Sequence, residues 1–232
     1  TKDEADKSDS FLAQGGISVL HDELDYDAFY EDTMKAGHYE NNPESVDIMI
    51  RSSRDVINDL VSFGVDFEKE GNAFDYTREG AHSRPRILFH EDETGKEITS
   101  RLLAEVQSRE NITLIEKFTM VDLLCENNVC SGIIGHDESG EYHSIMADYT
   151  VLATGGIGGL FEHSTNYRHL TGDALALALK YDIKLKNIDY IQIHPTTLYS
   201  EKSGRRFPWR RESPWQSVAP KKRWRLTLRI SL

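Results

Sequence analysis

The stretch Tyr149-Thr150-Val151-Leu152-Ala153-Thr154-Gly155-Gly156 decides how the chain is read. Apolar and β-branched residues run on without alternation and stop at a glycine pair, which is the pattern of a strand buried on both faces that ends in a tight turn. Upstream, residues 113–116, 120–124, 129–135 and 142–147 are short strand candidates. Asn127-Asn128 and Ser139-Gly140 supply turn chemistry between them, so an antiparallel β-meander is expected to feed the buried strand. Downstream, Ala174, Leu175, Ala178 and Leu179 line one side of a helix over 172–181. Nearer the N-terminus, Ile98, Leu102, Leu103 and Val106 predict a helix over 97–108. A longer one is marked by Asn42 as N-cap and Pro43 at the first helical position. Its stripe of Val46, Met49, Ile50, Val56, Ile57, Leu60 and Val61 is ended by Gly64. Phe29, Tyr30, Thr33 and Met34 predict a third helix over 26–37, capped by Gly37. Strands and helices thus alternate at both ends with the meander inserted between, which is an α/β pattern.

Length and charge bound the function classes. The 232 residues suit one large domain or two small ones, and 38% hydrophobic residues suit a packed core. A net charge of -12 argues against a nucleic-acid partner, because phosphates need clustered cations. The charge is uneven: residues 208–232 hold seven Lys/Arg and one acid, so this stretch is +6 and residues 1–207 are -18. All three Trp and half of the six Pro also lie in 208–232. No apolar run reaches the roughly 20 residues of a bilayer span, and the acidic start shows no signal-peptide pattern, so a cytoplasmic protein with no membrane partner is expected. Cys125 and Cys130 are the only cysteines and flank a hairpin loop. Two thiols do not make a four-ligand zinc site, so no metal is expected; a reduced pair is the simplest reading, and a cross-hairpin disulfide is sterically conceivable.

Two segments stand out chemically. Residues 8–20 combine small side chains with the pair Gly15-Gly16, which permits close backbone approach. Residues 71–95 have little apolar periodicity but many charged and ring-bearing side chains, and a long irregular segment inside a domain is usually functional. Taken alone, each glycine pair reads as a tight turn, and the fingerprint G-x-G-x-x-G is absent from the chain.

Read together and in order, six motifs resemble the L-aspartate oxidases of the flavoprotein superfamily of succinate dehydrogenase and fumarate reductase. They are Ser8-Asp9-Ser10-Phe11-Leu12-Ala13-Gln14-Gly15-Gly16-Ile17; Thr77-Arg78-Glu79-Gly80-Ala81-His82-Ser83; Arg86-Ile87-Leu88-Phe89-His90 with Thr94-Gly95; Val151-Leu152-Ala153-Thr154-Gly155-Gly156; Thr171-Gly172-Asp173-Ala174; and Gln192-Ile193-His194-Pro195-Thr196. The resemblance covers about residues 1–207. It implies an α/β fold: a partial FAD-binding Rossmann-like domain over 1–189 that lacks its first βαβ unit, with an inserted antiparallel β-meander. The beginning of a capping domain follows over 190–207.

The same resemblance implies the site. Lys2, Asp9, Ser10, Phe11, Leu12, Ala13, Gln14, Gly15 and Gly16 map to the segment along the flavin and pyrophosphate. Val121, Ala153, Thr154, Gly155 and Gly156 map to the adenosine half and pyrophosphate, and Asp173 to an acid that binds FAD. Members with covalent flavin carry a His where this chain has Asp9, so FAD is expected to be non-covalent. Glu79 maps to the acid that orients the substrate amino group, and Gln192 and His194 to contacts with its carboxylate. His82, Arg84, Arg86 and His90 are expected at the same entrance, individually as surface charges.

The implied reaction is oxidation of L-aspartate to iminoaspartate with fumarate or dioxygen as acceptor, the first step of NAD biosynthesis, with quinolinate synthase as a partner. Two further classes compete: a fumarate reductase or succinate dehydrogenase flavoprotein, and a non-catalytic nucleotide-binding or interaction fragment. The sequence departs from the family pattern at both ends. The glycine-rich phosphate loop and the proton-abstracting Arg are not recognised, so weak or no activity is expected of this chain by itself. Residues 208–232 lack helical or alternating period, which fits a frame-shifted or unstructured stretch better than a basic binding arm.

Overall fold

The computed structural model describes residues 1–191 and the backbone of residues 204–205. The chain divides into two compact units, Thr1–Leu152 and Ala153–Leu232. The expected stretch 208–232 and nearly all of the expected capping-domain start lie outside the described residues.

In the first unit, β1 (Ile17–Ser18) leads through a 3-10 turn (Glu23–Asp25) into α1 (Tyr26–Ala36) and α2 (Pro43–Ser62). The Asn42 side chain accepts a hydrogen bond from the Ser45 N–H at 3.0 Å and Pro43 takes the first helical position, so α2 begins where its sequence predicts. Val46, Ile50 and Ile57 are buried, whereas Met49, Val56 and Val61 of the same apolar stripe are exposed. Two apolar clusters draw on α2: Val19, Ile57, Val65, Phe67 and Leu88 at one end, and Leu20, Phe29, Met34, Val46 and Ile50 at the other. Gly37 ends α1 in an ordinary conformation (φ -88°) with the end of the Asn41 side chain lying where a Cβ would stand, so the helix ends without a left-handed glycine turn.

The irregular segment folds into small antiparallel pieces. Strands β2 (Lys69–Glu70) and β3 (Ala73–Phe74) form a hairpin, and β4 (Ile87–Leu88) pairs with β1, Ile17 opposite Leu88. Helix α3 (Thr94–Ser108) starts three residues before its apolar pattern, because the buried Thr94 hydroxyl accepts the His90 N–H at 3.0 Å and Gly95 docks against the chain at residues 10–13. The predicted meander forms: β5 (Thr119–Glu126), β6 (Val129–His136) and β7 (Tyr142–Met146) make one three-stranded antiparallel sheet. Residues 113–116 do not form the expected strand; they lie beside the N-terminus, whose ammonium donates to the Ile115 carbonyl while the Ala5 N–H donates to Glu116 Oε1 at 2.7 Å.

The stretch that opened the reading is also not a strand. Residues 149–156 carry no strand assignment, and Tyr149 and Val151 are 91% and 88% exposed. A both-face-buried strand needs neighbours on its edges and faces, and no described strand pairs with it. The second unit holds a 3-10 turn (Gly158–Leu160), β8 (His163–Ser164) paired in parallel with β9 (Gly204–Arg205), and α4 (Asp173–Lys180), as its periodicity predicts. Among the described residues no helix is long and apolar enough to cross a membrane.

Candidate functional site

Residues 8–16 are a run of tight turns. The Phe11, Leu12 and Ala13 N–H groups donate to the Ser8, Asp9 and Ser10 carbonyls at 3.1, 3.1 and 3.2 Å, and the Ser8 hydroxyl also accepts from Phe11. The start of α3 holds this run from below: the Gly95 N–H donates to the Ala13 carbonyl at 3.0 Å, and a Cβ on Gly95 would meet the Ser10 carbonyl at 2.2 Å. Gly16 serves packing in the same way, since its Cβ would strike the Leu88 carbonyl at 2.2 Å. Gly15 differs. A Cβ there would meet only the Glu79 carboxylate, at 3.6 Å.

Glu79, 63 residues away in sequence, therefore stands over the glycine pair, with Oε1 3.5 Å from the Gly16 N–H. Its position is fixed through the loop that carries it. Arg86 is 0% exposed and forms a two-pronged ion pair with buried Asp25 (Nε–Oδ2 2.9 Å, Nη2–Oδ1 2.8 Å), while its Nη1 reaches Asp32 at 2.6 Å and His82 Nδ1 at 3.0 Å. Asp32 also accepts the Ser83 N–H and hydroxyl, each at 2.7 Å, and His82 Nε2 lies 3.4 Å from the Ser18 hydroxyl. Burial pushes the Asp32 carboxyl up, but the Ser83 donors and the Arg86 guanidinium outweigh it and hold the group at about 2. Burial and the Arg86 charge push His82 below its ordinary value, favouring the neutral ring.

The sequence expectation for Arg86 as a surface charge is thus wrong. Its partners Asp25 and Asp32 are 61 and 54 residues away, and nothing local signals them. Arg84 is exposed, as expected of a surface charge, and its Nη1 donates to the Leu24 carbonyl at 3.2 Å while its Nε lies 3.9 Å from Asp25 Oδ1; half-buried His90 has Nδ1 2.7 Å from the Asp66 carbonyl. Beside the network, a cavity of about 620 Å³ is lined by Gly16, Ile17, Ser18 and His82 together with α1 and α2 residues such as Phe29, Asp32 and Val56.

The second unit gathers another group of the expected residues. The Ala174 N–H donates to Thr154 Oγ1 at 3.2 Å, tying residues 153–156 to the start of α4, and the Thr171 hydroxyl donates to Asp173 Oδ1 at 2.6 Å. Gly172, at φ +71°, occupies the N-cap, so Asp173 is the first helical residue and not the cap itself. Gly155 is left-handed (φ +72°), and nothing lies within 4 Å of where a Gly156 Cβ would stand. Such a turn offers open backbone N–H groups beside a helix start. Lys2 lies near the entry to β5, where the Phe118 N–H donates to the Thr1 carbonyl at 2.8 Å, and Val121 sits half-exposed on β5. Gln192 and His194 lie outside the described residues.

Comparison with known proteins accounts for these two groups of backbone turns. The family described as an FAD binding domain matches residues 1–212, and the chain belongs to it. FAD is the cofactor of that family, and the open glycine turn at residues 155–156 fits a nucleotide held by backbone N–H groups. Among curated relatives, L-aspartate oxidase of Clostridium perfringens is 47% identical over 194 residues, covering 84% of this chain and 44% of that protein. L-aspartate oxidase of Clostridium acetobutylicum is 44% identical over 200 residues, covering 86% and 46%. The chain therefore spans less than half the length of these relatives. Among solved structures, Mycobacterium smegmatis Sdh1 in complex with UQ1 superposes with a TM-score of 0.71 at 27% identity, over 78% of this chain and 33% of that one. A quinol-fumarate reductase with menaquinol molecules reaches 0.73 at 22% identity over 78% and 32%, and so shares the fold.

Proposed function

We propose that this chain carries part of the flavin and substrate site of an enzyme that oxidises L-aspartate to iminoaspartate. The observation that carries the reading is the Glu79 carboxylate over Gly15 and Gly16, beside the turns that map to the flavin segment. A carboxylate there accepts hydrogen bonds from a substrate ammonium, whereas succinate has no amine to offer it. Gln192 and His194 would hold the substrate carboxylate. Lys2, residues 9–16, Val121, residues 153–156 and Asp173 would line a Rossmann-like FAD site. Asp9, in place of a histidine, favours non-covalent FAD, which when bound supplies the hydride acceptor. The neutral state of His82 leaves Glu79 without a competing cation on that ring. Fumarate or dioxygen as acceptor, quinolinate synthase as recipient of the unstable imine, a role in NAD biosynthesis and a cytoplasmic setting complete the proposal.

The test is a chimera in which residues 1–207 replace the matching segment of the Clostridium perfringens relative. Anaerobic aspartate should bleach its flavin, and succinate should not. Glu79→Gln should lower kcat/KM for aspartate about 100-fold, the scale of a lost charge-assisted contact of about 3 kcal/mol, with FAD still bound. Bleaching by succinate, unaffected by Glu79→Gln, would instead support a succinate dehydrogenase or fumarate reductase. The 232-residue chain by itself should show weak or no turnover.

A further inference from the structure

Cys125 and Cys130 lie outside the site just described and face each other across the tip of the β5–β6 hairpin. Asn127 and Asn128 form its two-residue loop with φ of +51° and +62°, the left-handed pair that a tight hairpin turn needs. Glu126 and Val129 flank the loop and form the first pair, so Cys125 and Cys130 are the second. In an antiparallel ladder pairs alternate, and the pair after a two-residue loop's hydrogen-bonded pair is a non-hydrogen-bonded one, with Cα atoms about 4.5 Å apart and side chains on one face. That is inside the range of about 4.4–6.8 Å that a disulfide spans. A register irregularity between Leu123 and Cys125 leaves only these two pairs between bulge and loop, so the cysteines sit at a short hairpin tip.

We propose that Cys125 and Cys130 are an oxidation site, a reversible dithiol–disulfide pair closed by a hydroperoxide with Cys130 as the attacking sulfur. Both thiols are free, Cys125 exposed and Cys130 half-buried. Cys130 Sγ sits 3.5 Å from the Gly132 carbonyl and 3.7 Å from the Thr150 hydroxyl. The Gly132 backbone and the Thr150 hydroxyl hold the Cys130 thiol below its ordinary value, while desolvation and the Cys130 thiol itself push Cys125 up. The Thr150 hydroxyl, 3.7 Å from Cys130 Sγ, can turn its hydrogen toward a thiolate there, which makes Cys130 the better nucleophile and Cys125 the resolving thiol. The Cys130 thiolate attacks a peroxide oxygen, the O–O bond breaks, and the departing hydroxide takes up the proton that Cys130 released, giving a sulfenic acid and water. Cys125 sulfur then attacks Cys130 sulfur and the S–O bond breaks. The hydroxide released takes the Cys125 proton to form a second water. Two thiols lose two electrons, and the peroxide gains them.

The test treats the full chain with a small excess of hydrogen peroxide, blocks remaining thiols with iodoacetamide and measures the mass of the peptide spanning residues 118–168. The expected result is loss of two hydrogens with no alkylation, reversed by dithiothreitol. Cys125→Ser should instead leave a sulfenic acid on Cys130 that dimedone traps, and Cys130→Ser should give at least several-fold less dimedone adduct on Cys125. Two alkylated thiols in the wild-type chain, or separate sulfonic acids without a bridge, would overturn the pairing. Equal trapping in the two variants would overturn the assignment of Cys130.

Discussion

At the scale of single residues, the decisive feature is a buried charge cluster whose members are far apart in sequence. Arg86 spends three donors on Asp25 and Asp32, and the loop bearing His82 and Glu79 closes over it. Replacing Arg86 by Met strips the buried Asp25 carboxylate of its two-pronged partner and leaves it only the exposed Arg84 at 3.9 Å, a change that costs about 3–5 kcal/mol. Urea denaturation should show that drop as a lower midpoint with an unchanged slope. Asp32 makes a pH prediction. Its carboxyl is held at about 2 in the folded chain against an ordinary 3.8, so the unfolded chain binds the proton first as pH falls. The stabilisation, about 2 kcal/mol, is complete above pH 4 and is lost as pH falls through about 2. Asp32→Asn should flatten that limb of the stability curve. His82 acts in a separate window. Because its folded value is lowered, the unfolded chain protonates first below about pH 6.5, and stability falls there; His82→Gln should remove that slope.

At the scale of elements, helices were legible where a cap or stripe is local and misjudged where a boundary rests on a distant contact. Asn42 and Pro43 mark the start of α2 in sequence alone, and Asn42→Ala should cost about 1 kcal/mol by thermal melting. The first residues of α3 are invisible to periodicity because Thr94 is buried with its hydroxyl on the His90 N–H and Gly95 packs against residues 10–13, and neither is a large apolar side chain. The glycine pair of residues 15–16 read as a tight turn or a ligand cradle, yet its two members divide the work. Gly16→Ala drives a methyl into the Leu88 carbonyl and should unpair β1 from β4, costing about 1–3 kcal/mol by the same melt. Gly15→Ala meets only the Glu79 carboxylate at contact distance and should leave stability nearly unchanged.

At the scale of the whole molecule, the chain combines a net charge of -12 with apolar side chains left in water, Tyr149 and Val151 among them. Charge repulsion is weakest near the isoelectric point of about 5.2, where exposed apolar surface is free to associate. Light scattering against pH should therefore peak near 5.2, and Val151→Asp should lower that peak. By itself the sequence determined the meander, three helix positions and membership in a flavin-binding family, because turn residues, caps and ordered motifs are local and are written in contiguous letters. Only the tertiary structure decided that Arg86 is buried, that Glu79 stands over Gly15, and that residues 149–156 form no strand. Each of these depends on what other parts of the chain bring to the same place, and a strand pattern becomes a strand only when a neighbour supplies the other half of its hydrogen bonds.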